Sequence, residues 1–292
     1  MTQYAFLNGS FVPLEQAQVS VLDRGFIFGD GVYEVIPVYG RRPFRLQGHL
    51  DRLDRSLAAI KLANPWDGAR WRELIVELIA RHPWQDQSIY LQVTRGAAPR
   101  NHAFPADPRP TVFMMSGALK LPSDAERENG VAAISLPDFR WLRCDIKSIA
   151  LLGNCMMRQA AVEAGCREAV LFRDGWLTEG AASNIFVVKA GTLLAPPKDH
   201  LILPGITYDV TLELAQRHGL PLEVRKISEA ETRAADELWL SSSSNEILPI
   251  TRLDGNKVGS GMPGPVYRQM VRWFDAVKAA AVEDAAAAGT HV

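Results

Sequence analysis

From Val131 onward, short strand-like runs and longer helical patterns take turns along this chain, and that alternation favours helices laid on a sheet over an all-helical or all-β fold. Val131–Ser135 reads as a strand. Residues 150–164 are apolar at helical spacing and end on Gly165, and residues 207–218 repeat the pattern and close on Gly219. Residues 169–172 and 184–188 read as strands around the Asp174-Gly175 turn, 237–241 as another strand, and 265–281 as a last helix. From Val282 on, over 282–292, the Ala-rich tail is expected to fray.

The first part of the chain is organised differently. Tyr4–Leu7, the turn Asn8-Gly9-Ser10 and Phe11-Val12 form a hairpin pattern, and residues 31–39 read as a strand. Leu46, Leu50, Leu53, Leu57 and Ile60 then recur at helical steps, and residues 71–80 make a second helix stopped before Pro83. Strands at 89–94 and 111–115 flank a Gly/Pro-rich loop. The expectation is a small N-terminal α+β domain at 1–118, a linker at 119–123 and a larger α/β domain at 124–292.

Composition narrows the function. The 32 basic residues balance 33 acidic ones, so neither nucleic acid nor an anionic membrane is the expected partner. No apolar run approaches the ~18 residues of a membrane span, and no basic start followed by an apolar stretch marks the N-terminus. A cytoplasmic location is expected. Three cysteines without a CxxC pair fit neither a disulfide framework nor a zinc site. The six histidines are scattered singly, and P-loop, GxGxxG, HExxH and GxSxG patterns are absent, so no metal is expected.

Of the basic residues only eight are lysines, which makes a lysine in an apolar stretch notable. Lys147 is followed almost without interruption by apolar residues as far as Gly153. Burial lowers an ammonium pKa, as a Schiff-base nucleophile requires, although on this segment alone pairing with Asp145 or snorkelling to the surface is the more ordinary explanation. Glu179, after the turn and at the mouth of the strand at 184–188, could cap a helix, bind a cation or hold a proton on a heterocyclic nitrogen. Leu203-Pro204-Gly205-Ile206-Thr207 leads into a helix whose first amides and the Thr207 hydroxyl suit a phosphate. The run Ser241–Ser244 offers further anion donors or a solvated loop. Arg100 and His102 would lie on one side of an extended loop and could clamp a carboxylate.

In this order the segments resemble the fold-type IV pyridoxal-phosphate enzymes, the family of branched-chain and D-amino-acid aminotransferases, and above all its D-amino-acid branch. The resemblance runs from about Tyr4 to Phe274. It rests on Asp23-Arg24-Gly25 through Val35, on Val93–Gly96 with Arg100 and His102, and on Arg140–Gly153. Thr178-Glu179-Gly180, Leu203–Thr207 and the serines before Asn245 complete it. It implies a two-domain fold with pyridoxal 5'-phosphate in the interdomain cleft of a homodimer, and ping-pong transfer between a D-amino acid and a 2-oxo acid through pyridoxamine phosphate.

The resemblance also implies roles. Lys147 would form the Schiff base and shuttle the proton at the substrate Cα, and Glu179 would hold the pyridine nitrogen protonated. Arg52, the Ile206 and Thr207 amides and Ser242 or Ser243 would bind the phosphate, and Leu203 would pack near the ring. Tyr33, Arg100 and His102 would take the substrate carboxylate, the loop reaching in from a partner subunit. Ala181 and Ala182, where serines are usual, and Tyr208, where an arginine is usual, depart from the pattern. Branched-chain aminotransferase, (R)-amine transaminase and aminodeoxychorismate lyase are the rivals on this scaffold, and the Arg100/His102 pair speaks against all three. A non-catalytic phosphate-ligand-binding protein is the rival from another class.

Overall fold

The computed structural model describes residues 2–287 of the 292. The described chain folds as two compact units: residues 2–119 with Ile146–Leu151 and 280–287, and residues 120–145 with 152–279. The chain crosses between them several times, where the sequence leads one to expect a single linker at 119–123.

The first unit contains β1 (Tyr4–Leu7), β2 (Ser10–Pro13), α1 (Arg24–Phe28), β3 (Gly31–Tyr39), β4 (Arg42–Pro43), α2 (Leu46–Ala59), α3 (Gly68–Ala80), β5 (Gln87–Thr94) and β6 (Thr111–Ala118). The strands form one sheet in the order β2-β1-β6-β5-β3-β4. Asn8 and Gly9 take the positive φ angles, 48° and 102°, that a tight hairpin turn demands. In α2, Leu46, Leu50, Leu53 and Leu57 are each no more than 4% exposed and share a core with Val32, Ile36 and Trp71. A buried leucine is worth roughly 1.5–3 kcal/mol. The stripe therefore outweighs the cost of an αL N-cap at Arg45, which makes no side-chain capping bond.

Ile146–Leu151 joins this unit because it occupies an edge of β3. The Tyr33 amide donates to the Lys147 carbonyl at 2.9 Å and the Ile149 amide to that of Gly31 at 3.1 Å. Backbone groups at the start of β3 that a sheet edge would leave unpaired are thus satisfied.

The second unit contains α4 (Asp124–Asn129), β7 (Val131–Pro137), α5 (Leu152–Glu163), β8 (Glu168–Arg173), β9 (Trp176–Gly180), β10 (Asn184–Lys189) and β11 (Thr192–Ala195). It continues with α6 (Ile206–Arg217), β12 (Leu222–Val224), α7 (Glu229–Arg233), β13 (Glu237–Ser242), β14 (Glu246–Leu253), β15 (Asn256–Lys257) and α8 (Pro265–Ala287). Its sheet runs β12-β11-β10-β13-β14-β7-β8-β9, with β15 on β14. The strands of the sheet's middle are buried on both faces: Ile185, Phe186, Val187, Leu238, Trp239 and Leu240 are each 0–1% exposed.

Three readings of the sequence change. Ser123 is not linker but the N-cap of α4, closed by a capping box with Glu126. The Asp174-Gly175 turn joins β8 to β9, and β10 is a separate strand, so Glu179 lies within β9 and not at the mouth of β10. Helix α8 continues to Ala287, so residues 282–287 are helical where fraying was expected; 288–292 lie outside the described residues. No helix among the described residues is long and apolar enough to cross a membrane.

Candidate active site

In the first unit the strand period and the helix period put polar groups in one place. Glu34, on β3, is 0% exposed, and His49 and Arg52, three apart on α2, are 0% and 3% exposed. Arg52 grips the Glu34 carboxylate with two bonds, Nε to Oε1 at 2.8 Å and Nη2 to Oε2 at 2.7 Å, and His49 Nδ1 lies 2.8 Å from Oε2. Burial by itself would raise the Glu34 carboxyl; Arg52 and His49 outweigh it and hold it at about 2. Burial, aided by Arg52 and Lys147, pushes His49 below its usual range against the pull of Glu34, so the imidazole is neutral. Facing an ionised carboxylate, its Nδ1 is the protonated nitrogen, and Nε2 is left buried without a partner among the described residues.

One turn beyond Arg52 on α2, Ser56 Oγ accepts from the Lys147 amide at 3.2 Å. Lys147 is 9% exposed, and its Nζ lies 4.2 Å from the centre of the Tyr33 ring. Tyr33 stacks on Tyr90 with centroids 5.7 Å apart. Asp145, the alternative partner for Lys147, instead takes both bonds of Arg143 at 2.9 Å. Tyr33, Lys147 and the Glu34–His49–Arg52 cluster are thus brought together by β3, α2 and one returning segment. Arg100 and His102 lie on the exposed loop after β5 and both pack on Phe28 of α1, at 5.5 and 5.4 Å.

In the second unit Glu179 is 4% exposed. One carboxylate oxygen accepts from Arg140 Nη1; the other accepts from Asn184 Nδ2 at 3.1 Å and from the Leu203 amide at 3.0 Å. Burial raises the group to about 7, against the opposing attraction of Arg140. Arg140 is itself held by Asp138 through bonds of 2.9 and 2.8 Å. Asn184 also donates to the Leu203 carbonyl at 2.8 Å, which fixes the turn into α6. Gly205 is required there because a Cβ would strike Asn184 Oδ1. The first amides of α6, at Ile206 and Thr207, follow an N-cap that has no side chain to satisfy them. Ser241 Oγ is buried without a partner among the described residues, whereas Ser242 Oγ accepts from the Asn245 amide at 3.1 Å.

The family model for class IV amino-transferases matches residues 31–253. The chain belongs to the class IV aminotransferases. It is 41% identical over 263 residues to the D-alanine aminotransferase of Bacillus licheniformis, covering 90% of this chain and 93% of that one. To the D-alanine aminotransferase of Listeria monocytogenes it is 40% identical over 271 residues, 92% and 93% of the two chains. Among solved structures, the branched-chain amino acid aminotransferase of Escherichia coli matches with a TM-score of 0.88 over 94% of each chain at 26% identity.

The two departures from the family pattern have places in this aminotransferase. Ala181 is 1% exposed and packs with Met157, Ala161, Ala169 and Leu171, where a hydroxyl would need a partner. Tyr208 is fully buried, stacks on Phe186 at 5.1 Å and donates its hydroxyl to the Pro196 carbonyl at 2.7 Å. Sequence reasoning missed Glu34, His49, Arg140 and Asn184. The helical step from His49 to Arg52 was visible, but their carboxylate partner comes from another element.

Proposed function

We propose that the protein transfers the amino group of a D-amino acid, such as D-alanine or D-glutamate, to a 2-oxo acid such as pyruvate or 2-oxoglutarate, with pyridoxal phosphate as cofactor. The observation that carries this is the buried Lys147, its Nζ over the Tyr33 ring, in a chain 41% identical to a D-alanine aminotransferase. The residues fit the cofactor. Lys147 supplies the amine, and the raised, buried Glu179 supplies a carboxylate for the ring nitrogen. Arg52, the uncapped start of α6 and the unpartnered Ser241 Oγ offer donors for the phosphate.

When bound, pyridoxal phosphate supplies an aldehyde that links covalently to amines and a ring that withdraws electrons from the bond broken at the substrate Cα. Lys147 Nζ, freed as the neutral amine, takes the Cα proton and returns it. Glu179 keeps a proton on the ring nitrogen, and Arg140 holds the carboxylate in place for that role. Glu34 fixes the Arg52 guanidinium by two hydrogen bonds, so that little side-chain entropy is lost when a phosphate arrives. Arg100 and His102, with Tyr33, take the substrate carboxylate. Ser242 Oγ accepts from the Asn245 amide, which leaves its O–H to donate, so Ser242 or Ser243, with the unpartnered Ser241 hydroxyl, would be the phosphate donors of the serine run. We read the working unit as a homodimer in the cytoplasm; the three free cysteines fit a reducing compartment.

Borohydride reduction of the purified, cofactor-loaded protein tests this reading. The yellow colour should bleach, and a phosphopyridoxyl mass should appear on the peptide carrying Lys147. A preparation that stays colourless with added cofactor contradicts it.

A further inference from the structure

The loop from Arg95 to Pro110 is long for a connection between paired strands and has no regular element of its own, yet buried groups hold it. Arg24, 3% exposed in α1, turns its guanidinium into the loop. Its Nη1 donates to the carbonyls of Asn101 at 2.5 Å and Ala103 at 3.3 Å, and its Nη2 to that of His102 at 3.4 Å. Three successive carbonyls around His102 therefore converge on one side chain. Phe28, four residues along α1, carries the Arg100 and His102 side chains.

The anchor has its own support. Arg24 Nε donates to Asp30 Oδ2 at 2.7 Å, and the same oxygen accepts from Arg95 Nε at 2.8 Å. Arg95, 2% exposed, donates onward to the Ile60 carbonyl at 2.7 Å and lies 3.6 Å from the centre of the Phe104 ring. At the root of the loop the Arg24 amide donates to the Gly96 carbonyl at 2.9 Å, and Thr111 Oγ1 donates to Asp23 at 2.6 Å. Gly96, at φ 86°, passes so close to the Arg109 carbonyl that no side chain fits. Two buried guanidiniums share the Asp30 carboxylate beneath Arg100 and His102, and Asp23, 3% exposed, caps α1 beside them.

We propose that Arg24 is a positioning residue for the substrate carboxylate: it fixes the backbone at Asn101–Ala103 so that Arg100 and His102 are presented together. This rests on the reading that Arg100 and His102 bind that carboxylate. Arg24→Lys keeps the charge beside Asp30 but lacks the fork needed to hold three carbonyls. The KM for D-alanine should rise about tenfold or more while kcat stays within about threefold. Without any substrate, trypsin should cut the Arg100–Asn101 bond of the variant several-fold faster than in the parent, while global melting is little changed. Asp30→Asn, which removes the anchor's counter-ion, should shift both readouts in the same direction by less, and it carries the test if Arg24→Lys fails to fold.

Arg100→Leu is measured alongside. If it leaves the D-alanine KM unchanged, the carboxylate reading falls and the role of Arg24 with it. If Arg100→Leu raises KM but Arg24→Lys and Asp30→Asn change neither KM nor the cleavage rate, the positioning role alone is overturned. Loss of kcat and thermal stability at constant KM would likewise overturn it, since only a structural role behaves so.

Discussion

The Tyr33 amide donates to the Lys147 carbonyl at 2.9 Å, and the Lys147 ammonium stands 4.2 Å from the centre of the Tyr33 ring. One backbone bond to a sheet edge thus sets where the lysine's flexible stem begins, and the aromatic face meets its charged end.

Lys147→Ala should abolish turnover, by about a thousandfold or more, since one amine carries both the covalent link and the proton transfer. The measurement is activity after the variant has been freed of cofactor and reconstituted. The phosphate contacts should still retain cofactor, seen by absorbance after gel filtration. More than a trace of activity would remove Lys147 from the chemistry.

Glu34→Gln should destabilise the protein by about 3–5 kcal/mol, because it removes the carboxylate that the buried Arg52 guanidinium grips with two bonds. The wild-type carboxyl is held at about 2, below its ordinary 4.5, so its contribution is present above pH 4.5 and disappears as pH falls towards 2. Denaturation of the cofactor-free proteins should show the gap between wild type and variant closing across that range. A gap independent of pH would mean that Glu34 acts by packing alone.

Some of this was legible in the residues and some was not. The α2 stripe, the Asn8-Gly9 and Asp174-Gly175 turns and the glycines ending α5 and α6 are local signals that tertiary contacts reinforce. Short helices were harder. The capping box from Ser123 to Glu126 was present in the sequence, but one and a half turns show no apolar period. The Glu34–Arg52 pair joins residues 18 apart and Arg140–Glu179 residues 39 apart, and no pattern in either segment announces the other. Lys147 and Glu179 stood out because the family motif surrounds them. Their supports, Ser56, Asn184 and Arg140, become apparent only when the strands and helices are assembled.

Glu179 gives a prediction of the opposite sign. Its folded value is raised to about 7 by burial, so its contribution to stability is present below 4.5 and is lost as pH rises through 7. In cofactor-free protein, Glu179→Gln should therefore melt increasingly well relative to wild type between pH 5 and pH 8. Arg140 keeps its two bonds to Asp138 in that variant. With cofactor bound, the same change should slow the half-reactions severely in stopped-flow absorbance. Wild-type rates would take Glu179 away from the ring nitrogen.

The central claim is the transfer of amino groups from D-amino acids. The direct measurement incubates the loaded enzyme with pyruvate or 2-oxoglutarate and, in turn, D- and L-amino acids and (R)-amines, and resolves the products by chiral chromatography. D-alanine with 2-oxoglutarate should give pyruvate and D-glutamate, with L-amino acids and (R)-amines consumed far more slowly. Faster formation of L-glutamate from L-leucine or L-valine, or no turnover of any D-amino acid, would contradict the account.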